Sequence, residues 1–114
     1  MLFLSGCNAG HQDYKYTNLA YYLAQKVNGG KVIACDGTDY HRSGYNTGVE
    51  EYTSRDDDTW EDWRDDAKST RKTNEGWIVY QKDIIGKTRI SKSIGKSLTL
   101  TDMLNKVYKG LQWK

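Results

Sequence analysis

The opening stretch, MLFLSGCNAG, constrains the fold more than any other part of the chain. Leu2, Phe3 and Leu4 are too few for a helix, and they stop at Ser5, Gly6, Asn8, Ala9 and Gly10, the small and turn-prone residues used where a backbone bends sharply. The run is therefore expected to be a buried strand that delivers Cys7 to a sheet edge. Downstream, Leu19, Ala20, Leu23, Ala24 and Val27 recur at helical spacing, and Lys31 to Cys35 (KVIAC) is a second apolar run. Strand, loop, helix, strand is a βαβ unit with parallel strands and a right-handed crossover. Active sites in such units lie beyond the carboxyl ends of the strands, where Cys7 falls.

A chain of 114 residues is one domain at most, 1–114, with a small core. Hydrophobic residues make up only 37% and aromatics 12%, so nine Tyr and four Trp must supply much of the core volume and find partners for their polar tips. Seventeen basic and fifteen acidic residues leave a net charge of +2, which gives no whole-molecule reason to expect nucleic acid. No run approaches the roughly 18 apolar residues of a membrane span. MLFLSGCNAG is too short for a signal peptide and carries no Lys or Arg, so no membrane or export is expected from these residues. Two cysteines in such a chain read as reduced thiols.

In order along the chain, Tyr14 to Asn28 is predicted as a helix with Asp13 or Thr17 as N-cap and Asn28-Gly29-Gly30 as its stop. Tyr40 to Thr53 has little periodicity and is predicted as a loop with a short strand at Val49 to Tyr52. Trp60, Trp63 and Ala67 fall at helical spacing in the acidic tract that follows. Gly76 to Gln81 and Lys87 to Ile90 are predicted strands joined as a hairpin through Asp83 to Gly86, and Ser93 to Leu98 is extended. Thr99 or Thr101 then caps a closing helix carrying Leu104, Val107, Tyr108 and Leu111.

Cys7 is the principal candidate for chemistry: a thiol at a strand end in a Gly-rich bend, where the backbone N–H groups of Gly6 to Asn8 would favour the thiolate and stabilise an oxyanion. His11 and His41 are the candidate bases, each on a loop near the same sheet edge. LFLSGCNAG, then LAYYLAQKV, then KVIACDGTDY, resembles the second half of the caspase-like cysteine peptidases, above all the self-processing protease domains of large bacterial toxins and their polymorphic-toxin relatives. The matching positions are Ser5, Gly6, Cys7, Asn8 and Gly10; Leu19, Ala20, Leu23 and Ala24; and Val32, Ile33 and Ala34, so the resemblance runs from Leu2 to about Tyr40. It implies a thiol nucleophile at Cys7 and a peptide or protein substrate. In that family the catalytic His precedes the nucleophile, in a His-Gly step after an earlier strand. Neither histidine here precedes Cys7 or is followed by Gly. The resemblance therefore implies a carboxyl-terminal half whose base comes from an amino-terminal segment or a partner chain.

Cys35 ends an apolar strand too, but Asp36 follows it, and a neighbouring carboxylate opposes thiolate formation. Cys7, Cys35, His11 and His41 lack the spacing of a zinc site, and no metal or other cofactor is expected. Asp36, Asp39, Asp58 and Trp60 are candidate substrate-binding residues, although a solvated acidic face and packing anchors are the ordinary readings. Lys82, Lys87, Arg89, Lys92, Lys96, Lys106, Lys109 and Lys114, interleaved with Trp77 and Tyr80, would suit a nucleic-acid-binding toxin, but lysines on edge strands also prevent edge pairing. The expected fold class is α/β, a small mainly parallel sheet with flanking helices in the form of a caspase-like half-domain. The expected function is a cysteine peptidase or toxin-associated domain, with a non-catalytic protein-binding module as the alternative.

Overall fold

Two strands that are apolar on both faces and a stripe of alanines in one helix organise the core of the protein. The structure, a computed structural model, describes residues 1–44, 47–55 and 74–114. The expected helix around Trp60 and Trp63, with Asp58, lies outside the described residues.

The first unit is β1 (Leu2–Phe3), α1 (Leu19–Lys26) and β2 (Lys31–Cys35). β1 and β2 run parallel, pairing Leu2 with Val32 and Phe3 with Ile33, as the βαβ reading requires. α1 is shorter than predicted because Gln12–Tyr14 winds into a 3₁₀ turn instead, and the N-cap is Asn18 rather than Asp13 or Thr17. The Asn18 side chain accepts the Tyr21 N–H at 2.9 Å. Ala20 and Ala24 are fully buried, and small side chains there let the helix lie close to the sheet. Gly10 makes a similar close approach, because a Cβ on it would sit 3.1 Å from both the Ala34 Cβ and carbonyl oxygen.

β2 leads through Asp36-Gly37 directly into β3 (Thr38–Ser43), which pairs antiparallel with β4 (Glu50–Arg55). The predicted loop over Tyr40 to Thr53 is therefore a hairpin, and the short strand expected at Val49 to Tyr52 overlaps β4. Its strands show no clean alternation because most of β3 is exposed, so the period-2 signal that marks a half-buried strand never appears. β5 (Trp77–Lys82) and β6 (Thr88–Ile90) form the predicted hairpin, and β7 (Ser97–Thr99) leads into α2 (Leu100–Lys109). Thr99 caps α2 in a reciprocal capping box with Asp102. Met103 and Val107 carry its inward stripe, whereas Leu104 and Tyr108, expected on that face, are exposed. Two apolar stripes one residue apart in register compete on this helix, and only tertiary packing chooses between them.

The strands form two sheets, ordered β1-β2-β5-β6 and β3-β4-β7. The fold is mixed α/β, but the expected mainly parallel sheet is not found: β1–β2 is the parallel pair, and β2–β5, β5–β6, β3–β4 and β4–β7 are antiparallel. The connections account for part of this, since a helical crossover joins β1 to β2 whereas a short turn joins β5 to β6. Val32, Ala34, Ile78 and Tyr80 pack beneath α1 on one face of the central sheet. On the other face Ile33, Cys35, Trp77 and Val79 meet Leu98, Met103 and Tyr52 from the second sheet and α2.

Candidate functional site

The bend after β1 docks on the end of β2 through its main chain. Asn8 N donates to Gly37 O at 3.0 Å and Gly10 N to Cys35 O at 2.9 Å. Asn8 takes a left-handed conformation, with φ of 61°, which Asn tolerates better than most side chains. This geometry turns Cys7 outward: its thiol is exposed, and its Sγ lies 3.9 Å from the carbonyl oxygen of Asp39. Ser5 Oγ donates to Asp39 Oδ2 at 2.7 Å, so one residue of β3 meets both ends of the Ser5–Cys7 step. The other carboxylate oxygen of Asp39 is buried and has no hydrogen-bond partner among the described residues.

Cys35 lies beneath the same bend in a contrasting environment. Its buried Sγ is 3.3 Å from the carbonyl oxygens of both Gly6 and Gly37. Burial, more than any other cause, pushes this thiol up to about 12, with the Asp39 carboxylate acting next in the same direction. Asp36, the residue expected to oppose thiolate formation, makes the smallest contribution.

The expected oxyanion donors correct differently from the nucleophile. Asn8 N–H is already donated to Gly37, so of the expected Gly6 and Asn8 donors Asn8 is engaged within the bend. Neither candidate base is hydrogen-bonded to Cys7. His11 is buried, accepts Asp13 N–H at its Nδ1 at 3.1 Å and sets its ring edge on Tyr14, which makes it the cap of the 3₁₀ turn. His41 is exposed on β3, two residues after Asp39 and on the same strand face. Its Nε2 lies 3.5 Å from Glu50 Oε1 and its ring 5.5 Å from that of Tyr52. Tyr52 in turn packs 4.9 Å from Phe3 of β1, so a chain of rings links His41 to the strand that carries Cys7.

Of the expected substrate-binding residues, Asp36 is buried with its two oxygens taken by main-chain donors, Gln12 N at 2.7 Å and Glu75 N at 2.6 Å. It ties the bend to β5 and is closed to a substrate. Asp39 lies at the Cys7 step as described, while Asp58 and Trp60 are outside the described residues. Trp77 and Tyr80, expected to interleave with the carboxyl-terminal cations on a nucleic-acid surface, are fully buried. Tyr80 belongs to a network that sequence pattern did not reveal: its hydroxyl accepts Gln12 Nε2 at 2.7 Å and Asn18 Nδ2 at 2.8 Å, and burial pushes it up to about 12. Among the described residues, no three His, Cys, Asp or Glu side chains gather as a metal set, and no helix is long and apolar enough to cross a membrane.

No protein-family model, curated protein or solved structure matches the chain.

Proposed function

We propose that this chain is a caspase-like, toxin-associated cysteine peptidase module in which Cys7 attacks the carbonyl carbon of a peptide bond. The thiolate forms a thioester, the amine departs with a proton from the base, and water then releases the acyl group. The observation that carries the reading is the contrast between the two thiols at one bend: Cys7 is exposed where the parallel strands end, and Cys35 is buried. Among the described residues β1 is an edge strand with β2 as its neighbour, and its own Leu2 is exposed. A strand added at that edge, from another segment or a partner, would bring a general base to the carboxyl end of β1. Within the chain, His41 is the candidate base, two residues along β3 from the Asp39 whose carbonyl meets Cys7 Sγ. Because Asn8 N–H is committed to Gly37, the oxyanion donors in this reading come with the added strand.

The test is alkylation of the protein by iodoacetamide at neutral pH, with free cysteine as the reference. An activated Cys7 labels about tenfold faster than free cysteine or more. Labelling at the rate of free cysteine overturns the nucleophile. A second reading, a non-catalytic module that binds a protein through the β1 edge, is favoured by the committed Asn8 N–H and by the lack of a hydrogen bond from Cys7 to either histidine. It expects that slower rate.

A further inference from the structure

At the edge of the central sheet opposite β1, the carboxyl-terminal residues run alongside β6. Lys92 N donates to Gln112 O at 2.7 Å and Lys114 N to Ile90 O at 2.8 Å. Between this tail, β6 and the turn preceding α1 lies a cavity of about 470 Å³, within the size range of small-molecule sites.

Its charge is one-sided. Lys15, Lys87 and Arg89 line it and form no ion pair among the described residues, whereas Lys114 is held by Glu75 Oε2 and Gln12 Oε1, each at 2.7 Å. The acidic side chain in the wall, Asp83, has an oxygen occupied by the N–H groups of Ile85 and Lys87, at 3.0 and 2.9 Å. The Arg89 guanidinium stacks 4.1 Å from the centre of the Trp113 ring, and Nη2 donates to Gln81 Oε1 at 3.1 Å. Stacking holds the planar fork in place and leaves further N–H groups for a bidentate acceptor. Tyr16, 61% exposed, adds an accessible aromatic face to the same cavity. Thr88, 7% exposed, also lines the cavity, and its hydroxyl is buried without a hydrogen-bond partner. A buried hydroxyl left unpaired lowers stability unless something satisfies it.

We infer that this cavity binds a nucleoside monophosphate. The phosphate lies between Lys15, Lys87 and Arg89, and the base lies against Tyr16. A phosphate alone would use the cations but not the exposed ring, and a neutral aromatic ligand would leave three cations uncompensated. The inference is independent of the chemistry at Cys7, which belongs to the other edge of the sheet.

Calorimetric titration of the protein with adenosine monophosphate at low salt tests it, with adenosine and inorganic phosphate as comparators. Saturable binding is expected with a dissociation constant below about 1 mM, weakened about tenfold or more by Arg89→Ala and by Lys87→Ala. Tyr16→Ala is expected to weaken the nucleotide by about tenfold and to leave inorganic phosphate unchanged. Absence of saturation, indifference to both cation variants, or phosphate binding as tight as the nucleotide overturns the inference. Single-stranded oligoadenylate binding more than about a hundredfold tighter overturns it in favour of a nucleic-acid surface.

Discussion

The two faces of the central sheet are packed on different principles. Beneath α1 the contacts are small and the polarity is satisfied: Ala20, Ala24 and Ala34 bring helix and sheet together, and the Tyr80 hydroxyl is held by Gln12 and Asn18. On the opposite face the filling is bulky and mostly apolar, with Trp77, Ile33 and Met103 in the core and Phe3 and Tyr52 against it. The first face is fastened by close approach and hydrogen bonds, the second by volume. Truncating a large side chain should therefore damage the second face most, and removing a polar atom should damage the first.

The largest effect is expected from Trp77→Ala. Its ring is fully buried, lies 5.3 Å from Phe3, and donates Nε1–H to Tyr52 O at 3.2 Å. Loss of about 3–5 kcal/mol is expected in urea denaturation. A loss below about 1 kcal/mol would mean that the second sheet does not depend on this face for its packing.

This difference between the faces also explains what could be read from the sequence. The α1 face follows from a local pattern, an apolar strand, a stripe of alanines and leucines, and another apolar strand, so the parallel pairing of the first two apolar strands was accessible, though not its register. The other face is assembled from distant residues, with Phe3, Tyr52, Trp77, Leu98 and Met103 each on a different element. No period links them, and the hairpin that carries Tyr52 is too exposed to show alternation. At the site, the place of Cys7 in a bend after β1 was legible in its small neighbours, but its exposure was not. The commitment of Asn8 N–H to Gly37 was not, because that bond depends on a turn beyond β2.

Next in size is Tyr80→Phe, which removes the acceptor shared by the buried Asn18 amide and the half-buried Gln12 amide and is expected to lower stability by about 1–3 kcal/mol. It should also alter the alkaline limb of stability. Tyr80 and Cys35 each hold their proton more tightly when folded, at about 12 against usual values of 10.0 and 9.0. Their contribution is thus complete below pH 9 and is lost as the pH rises towards 12, at about 1.4 kcal/mol per unit for each group. Urea titrations at about pH 8 and about pH 11 should show a smaller decline for Tyr80→Phe and for Cys35→Ala than for the parent. An identical decline in all three would show that these groups do not set the alkaline limit.

A smaller loss is expected at the end of the second face, where Thr99 joins β7 to α2. Thr99→Ala removes the acceptor for Asp102 N, a bond of 3.0 Å, and should lower stability by about 1 kcal/mol. Thr99→Ser keeps the oxygen and should retain most of the difference. If both variants lose equally, the threonine acts through its methyl group and its place in the strand, not as a cap.

The smallest effect is expected at Cys7, although it lies beside the residue with the strongest thiol perturbation. Its Sγ has one weak contact, at 3.9 Å, and faces solvent, so Cys7→Ser should change stability by no more than about 0.5 kcal/mol. Cys35→Ser places a more polar hydroxyl in a buried site that already suits a thiol between two carbonyls, and should lose more. Counting thiols with an aromatic disulfide reagent separates the pair directly. In the folded protein Cys7 should react at once and Cys35 only as the protein unfolds. Rapid reaction of both under native conditions would mean that the Ser5–Gly10 bend opens readily. Its hydrogen bonds to Gly37 and Cys35 would then hold Cys7 in place only part of the time, and an oxyanion site at Asn8 would again be within reach.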